Sequence, residues 1–256
     1  GMGYFLMSIN LGIVLGALLG LTLLLSLSYT GVAAILAAII CLGFIFCFMI
    51  PIQNPLKKEL ALHKPRLSLN DFMEKKALPV SIMAMIISFS YASIMSFIST
   101  FTESKNLLAY ASLFFVVFAI SMMSLRPFTG KIYDRKGPNY VVYPAITLFA
   151  IGLIILSQIN TVTGLMLAAV FIGMGFGSAQ PCLQTLSIQR SPKDRIGHAT
   201  STFFTCYDLG IALGSILLGL VIAHQGYSFA YLLCAFITAL SLVFYKLFVD
   251  RKPTTV

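Results

Sequence analysis

Apolar runs of roughly 20 residues alternate along this chain with short polar punctuation, and runs of that length are too long for buried strands. The pattern predicts helical spans at about residues 4–25, 32–52, 78–99, 107–125, 141–159, 164–186, 200–221 and 229–249. Helices follow because a backbone surrounded by hydrocarbon must satisfy its N–H and C=O groups within its own segment. The expected fold class is therefore all-α, a polytopic membrane helix bundle of about eight transmembrane helices.

Between the spans the charge alternates. Connectors 27–31, 160–162 and 224–226 hold no Lys or Arg, and the one with Glu103 and Lys105 balances itself. The other side carries Lys57, Lys58, Lys64, Arg66, Lys75 and Lys76, then Arg126, Lys131, Arg135 and Lys136, then Arg190, Lys193 and Arg195, then Arg251 and Lys252. Basic connectors stay in the cytoplasm, so both termini of the chain are expected there, in a cell membrane. The longest connector divides two spans from six. It sets the expected organisation: residues 1–52 as two helices, 53–77 as a cytoplasmic central loop near lipid headgroups, 78–249 as a six-helix bundle and 250–256 as a cytoplasmic tail. A full span begins almost at residue 1, which suggests a natural chain that starts further upstream.

Composition agrees with lipid as the solvent: the chain is 59% hydrophobic and 10% charged, with a mean hydropathy of +0.95. The net charge of +9 lies in the connectors, which argues against nucleic acid as a partner. Cys41, Cys47, Cys182, Cys206 and Cys234 fall inside apolar runs, with no pairing or zinc spacing, and read as small core residues. His63, His198 and His224 lie in or beside connectors, far apart, so no metal site is expected. No phosphate-binding loop, metalloprotease helix or nucleophile beside a base appears, so neither catalytic residues nor cofactors are assigned.

One acidic residue lies well inside a span. Counted from Thr200, Asp208 sits about 12 Å into its helix. An ionised carboxylate there costs several kcal/mol unless it is paired or meets water, so Asp208, with Tyr207 beside it, is a candidate for proton coupling or substrate recognition. The alternative is a packing Asp bonded to a neighbouring hydroxyl or Tyr. Asn10, Ser90, Tyr91, Ser93, Gln180 and Gln184 are candidates to line a wet cavity, each with an interhelical hydrogen bond as the alternative. Gly12, Gly16 and Gly20, four apart, and Gly210 and Gly214 offer smooth faces for close helix packing. The run from Gly173 through Gly177, followed by Gln180 and Pro181, reads as a flexible, kinkable helix.

The connector after the fourth span reads Arg126-Pro127-Phe128-Thr129-Gly130-Lys131-Ile132-Tyr133-Asp134-Arg135-Lys136-Gly137. It resembles the Gly-x-x-x-Asp-Arg-x-Gly loop signature of the major facilitator superfamily, matched at Gly130, Asp134, Arg135 and Gly137. Gly130 is expected to let a helix end pack closely, and Asp134 to accept N–H groups at a neighbouring helix start. The glycine-rich first span is similar to the fifth span of the family's proton-coupled antiporters, although Ala17 stands where they carry Pro. The stretch from Ser191 to Thr200, leading into Tyr207-Asp208-Leu209-Gly210, is similar to bacterial drug and metabolite exporters. The resemblance implies a twelve-span carrier of which this chain holds two helices of the N-terminal half and the six of the C-terminal half, with the missing part needed for a complete carrier. It implies alternating access, with a small organic solute and protons as partners besides the bilayer, most simply as proton-coupled efflux. A sugar or metabolite importer of the same family, or a non-transporting membrane scaffold or sensor, are the alternatives. By the family's internal symmetry, Asp134 is aimed at residues 1–4.

Overall fold

The computed structural model describes residues 27–49 and 73–250, with Gly12, Gly16 and Leu23 besides. Every regular element among these residues is helical. The chain divides into two compact units, Gly1–Ser68 and Leu69–Val256, taken separately below.

In the first unit the described element is α1, Tyr29–Met49, an apolar helix whose large side chains from Ile35 to Phe46 are mostly exposed. Gly12, Gly16 and Leu23 are also helical. A Cβ built on Gly12 or Gly16 meets no described atom within 4 Å, so close packing is not seen at either position. Gly20 and Asn10 lie outside the described residues.

The second unit opens with α2, Leu78–Ser104, which has a proline in its first turn, where the missing N–H costs nothing. A 3-10 turn, Leu108–Tyr110, leads into α3, Ala111–Lys136. α4 is Asn139–Ser157, and α5 is Val162–Gln189, whose N-cap Thr161 accepts the Gly164 N–H at 3.2 Å. A second 3-10 turn, Lys193–Arg195, precedes the continuous helical stretch Ile196–Phe244. Gly226 breaks that stretch with φ 79° and ψ 171°, a left-handed φ that only glycine takes without strain. We call the two parts α6, residues 196–225, and α7, residues 227–244; the π-helical turn Tyr245–Asp250 ends the unit. Six long apolar helices, counting the broken stretch once, are long enough to cross a membrane among the described residues.

Two boundaries differ from expectation for one reason. The apolar pattern predicts an end of α3 near Leu125, where the charges begin, yet the helix runs on to Lys136, past Pro127. It stops at Gly137, where φ is 92° and the N–H returns to the Tyr133 carbonyl at 2.9 Å. Likewise α6 begins at Ile196, before Thr200. Charged side chains end the apolar run of a helix and leave its backbone bonding untouched.

The helices alternate in direction, so one end of the unit gathers residues 73–78, 136–139, 189–196 and 250, and carries most of its charge. The opposite end holds residues 104–111, 157–162 and 225–227, and Lys105 there donates to Asn160 Oδ1 at 3.0 Å. Parallel helices α2 and α6 pack along their lengths, α5 packs on both α3 and α4, and α4 also meets the α6–α7 pair. At the centre Tyr91 stacks on Phe176 at 3.8 Å between ring centres, and Phe149 leans on the same Phe176.

The glycines of α5 are packing positions, and no break occurs in that helix. A Cβ on Gly173 would strike the Phe118 carbonyl of α3, one on Gly175 would come within 2.7 Å of the Ala145 carbonyl of α4, and one on Gly177 would strike Met122 of α3. The run expected to kink is wedged tightly between two neighbours.

Candidate functional site

On α6 the sequence runs Ser201, Thr205, Asp208, Leu209, Ala212, all exposed, against Phe203, Cys206, Gly210 and Gly214, all buried. The buried stripe meets α2 so closely that a Cβ on Gly214 would lie 2.6 Å from the Phe89 carbonyl, and one on Gly210 would strike Ser88 Oγ and the Met85 carbonyl. Ser88 Oγ donates across the seam to the Tyr207 carbonyl at 2.8 Å. Tyr207 is half-buried, stacks against Phe203 and meets Phe204 edge-on.

Asp208 therefore stands one residue beyond a fixed point, on the face turned away from α2. It makes no hydrogen bond or ion pair with any described residue. Measured from Ile196 it lies about 18 Å along α6, and about 12 Å from Thr200, where the apolar run begins. The packing alternative, a carboxyl bonded to a neighbouring hydroxyl, finds no partner among the described residues.

The polar residues expected to line a cavity mostly do something else. Ser90 Oγ donates to the Cys234 carbonyl at 3.2 Å, Ser93 Oγ to the Ser90 carbonyl at 2.6 Å, and Tyr231 OH to the Ser93 carbonyl at 3.3 Å. These are bonds within α2 and between α2 and α7, and all three side chains are buried. Tyr91 is buried in the aromatic centre. Short hydroxyls placed on an apolar face are satisfied by the nearest carbonyl, which draws them inward. Gln180 is half-buried. Gln184 is buried, and its Oε1 has no hydrogen-bond partner.

The signature residues lie on the last turns of α3 rather than in a loop. Gly130 is exposed, and no described atom lies within 4 Å of an added Cβ. Asp134 and Arg135 are exposed, and Asp134 accepts no N–H from a described helix start. Residues 1–4 lie outside the described set. Gly137 ends the helix, and Lys136 covers the Tyr140 ring at 5.7 Å.

The charged end also holds contacts that sequence reasoning missed. Glu74, buried, pairs with Arg195 Nε at 2.9 Å, and its N–H donates to Thr202 Oγ1 at 2.9 Å, which ties the chain ahead of α2 to the start of α6. Asp250 accepts from Asn139 Nδ2 and, at 3.0 Å, from Tyr143 OH; Tyr245 OH donates to Asn139 Oδ1 at 2.7 Å. Arg190 donates to the Val249 carbonyl. Burial pulls the Arg190 guanidinium below its ordinary range, while Tyr245, Tyr133 and Asp250 act to raise it. These pairs lie more than 50 residues apart and carry no local pattern.

Cys182, Cys206 and Cys234 are buried free thiols, and Cys41 is an exposed one. No cluster of three or more metal-ligating side chains occurs among the described residues.

Comparison with known proteins gives this geometry a family. The family described as Major Facilitator Superfamily matches residues 1–215. Among curated proteins, the uncharacterized MFS-type transporter YwoD of Bacillus subtilis is 28% identical over 176 residues, covering 66% of this chain and 38% of that one. The staphylopine export protein of Staphylococcus aureus is 26% identical, covering 72% of this chain and 46% of its own length. Multidrug resistance protein MdtG of Escherichia coli is 25% identical over 254 residues, covering 94% of this chain and 62% of its own length. This chain thus spans 38% to 62% of the length of these relatives. Among solved structures, a peptide transporter, POT, in complex with alafosfalin matches with a TM-score of 0.58 at 20% identity, covering 70% of this chain and 40% of that one, a likeness of fold.

Proposed function

This chain belongs to the Major Facilitator Superfamily, a family of membrane transporters rather than enzymes, and from that premise we propose that it is part of a proton-coupled exporter of a small organic solute. In this reading residues 1–52 complete an N-terminal half, residues 53–77 form the central loop, and residues 78–249 are the whole C-terminal half. The charged end of the unit is cytoplasmic, in a cell membrane, and so are both termini of the chain. The alternation of connector charge supports that orientation. Cysteine placed at Ser191 should label from the cytoplasm and cysteine at Asn160 from outside; labelling of both from one side refutes the topology.

The observation that carries the proposal is Asp208, about 12 Å into the apolar run of a membrane helix, exposed and without a hydrogen bond or ion pair among the described residues. A carboxylate at such depth is costly when dry and cheap when a water-filled cavity reaches it. A carrier that opens to alternate sides thereby makes the proton on that carboxyl part of its cycle. Two of the relatives are named for multidrug resistance and for export, which supports the outward direction.

Asp208→Asn in the full-length carrier should abolish solute movement driven by a pH gradient in proteoliposomes, a loss of tenfold or more, with expression and insertion intact. Undiminished transport with an unchanged pH profile assigns Asp208 elsewhere.

A further inference from the structure

The α3–α5 seam changes character along its length. Near its middle the register is set by contact: Gly173 lies against Phe118 and Gly177 against Met122. At the charged end it is set again by Tyr133 OH, which donates to Gln189 Oε1 at 2.7 Å. The helices run parallel, so the same register sets Arg126 opposite Pro181. Gln184 is one turn, about 4.5 Å, beyond Pro181, and on the α5 stripe that carries Gly173 and Gly177. Between the two contact points, then, the seam holds a guanidinium on one helix and a carboxamide on the other.

Neither is satisfied. Arg126 Nε and Nη2 are buried without a hydrogen-bond partner, and so is Gln184 Oε1. No described carboxylate pairs with Arg126. Ser187, one turn beyond Gln184 and buried, has an unpartnered hydroxyl as well. Pro181 has no N–H, so the Gly177 carbonyl loses its helical donor at the same level. Buried unpaired charge costs several kcal/mol, and a buried unpaired amide or hydroxyl about 1–3 kcal/mol. Orphan donors and acceptors gathered within about three turns of one seam call for a partner from outside the chain.

The chemistry of these atoms defines what fits. Nε and Nη2 form one edge of the guanidinium, and two parallel N–H bonds from one edge match the two oxygens of a carboxylate. The Gln184 oxygen accepts, so the same ligand needs a hydroxyl or ammonium donor beside its carboxylate. We propose that Arg126 and Gln184 form a binding site on the α3–α5 seam for a small solute bearing a carboxylate with an adjacent hydrogen-bond donor. The site lies apart from Asp208. It rests on the transport reading for what the ligand does, and on the seam alone for the binding.

The test uses the full-length carrier in phosphatidylcholine nanodiscs, with malate as probe and its neutral diamide as control. Unfolding is followed by a thiol-reactive dye after the exposed Cys41 is replaced by Ser, since Cys182, Cys206 and Cys234 are buried until the helices part. Malate, and not the diamide, should raise the unfolding temperature of the wild type at millimolar concentration. Arg126→Gln should weaken malate binding at least tenfold, and Arg126→Lys, which keeps the charge and loses the edge, should fall between. Should Arg126→Gln fail to fold, Gln184→Leu carries the test and should weaken binding severalfold. Malate stabilisation is read in nanodiscs with no pH gradient, so it stands or fails separately from the transport proposal. Equal malate responses in wild type and both seam variants overturn the site, as does a wild type that ignores malate. A third result would also overturn it: phosphatidylglycerol discs that stabilise the protein through Arg126 while malate adds nothing, which assigns the seam to a lipid phosphate.

Discussion

Two helix seams of the same unit, both built on glycines four apart, end differently. Along α2–α6, Gly210 and Gly214 bring the backbones together, and Ser88, the polar group at the contact, is bonded to the Tyr207 carbonyl. Along α3–α5, Gly173 and Gly177 make an equally close approach, but one turn beyond Met122 stands Arg126 and two turns beyond Gly177 stands Gln184, whose Nε, Nη2 and Oε1 atoms have no hydrogen-bond partner. In a membrane, small residues let helices approach while every polar group between them must be answered by something. The first seam is answered from within the chain and is architecture; the second leaves its answer to another molecule.

Breaking the first seam should be the most damaging change. Gly210→Leu drives a side chain into the Met85 backbone, which cannot give way, and should cost about 3 kcal/mol, the top of the usual range for overpacking. Loss of monodisperse protein after detergent extraction is the expected readout; a variant as stable as wild type would mean the α2–α6 contact is not close. Gly177→Ala meets the Met122 side chain, which is flexible and can shift, so the loss should be nearer 1 kcal/mol, read as a small drop in unfolding temperature. If it proves worse than Gly210→Leu, the two seams have been ranked the wrong way round. Ser88→Ala tests the satisfied bond itself and should cost only about 0.6 kcal/mol, as interhelical bonds in membranes do, measured by equilibrium unfolding in mixed micelles.

How much of this was legible beforehand depends on the range of the interaction. Among the described residues, helix positions followed from runs of apolar residues, because lipid imposes one length scale on all of them. Helix ends were misjudged at Leu125 and Thr200, since charge marks the membrane boundary while the backbone ladder continues to Lys136 and back to Ile196. Gly226, in the short uncharged connector between the last two spans, turned the chain as that pattern suggested. Asp208 stood out because a lone acid in an apolar run needs an explanation from sequence alone. Ser90, Ser93 and Tyr91 carry two readings, cavity lining or an interhelical hydrogen bond, because a sequence does not say which way a hydroxyl on an all-apolar helix turns. The pairings of Glu74 with Arg195 and of Asp250 with Asn139 and Tyr143 join residues 121, 111 and 107 apart, beyond any periodicity. Arg126 was counted as a topology-setting charge, and only the register of α3 on α5 reveals it as an inward one.

The link between α6 and α7 has a mechanical corollary. It consists of a single residue, Gly226, with open space around it. A connection that short has no slack. Whatever tilt α6 undergoes is handed to α7 as a displacement of its first turn, with no loop to absorb it. At the far end of α7, the Asp250 clasp on α4 opposes that displacement like the fixed end of a lever. Force applied near Asp208 is therefore carried along α6 and back down α7 before it can dissipate.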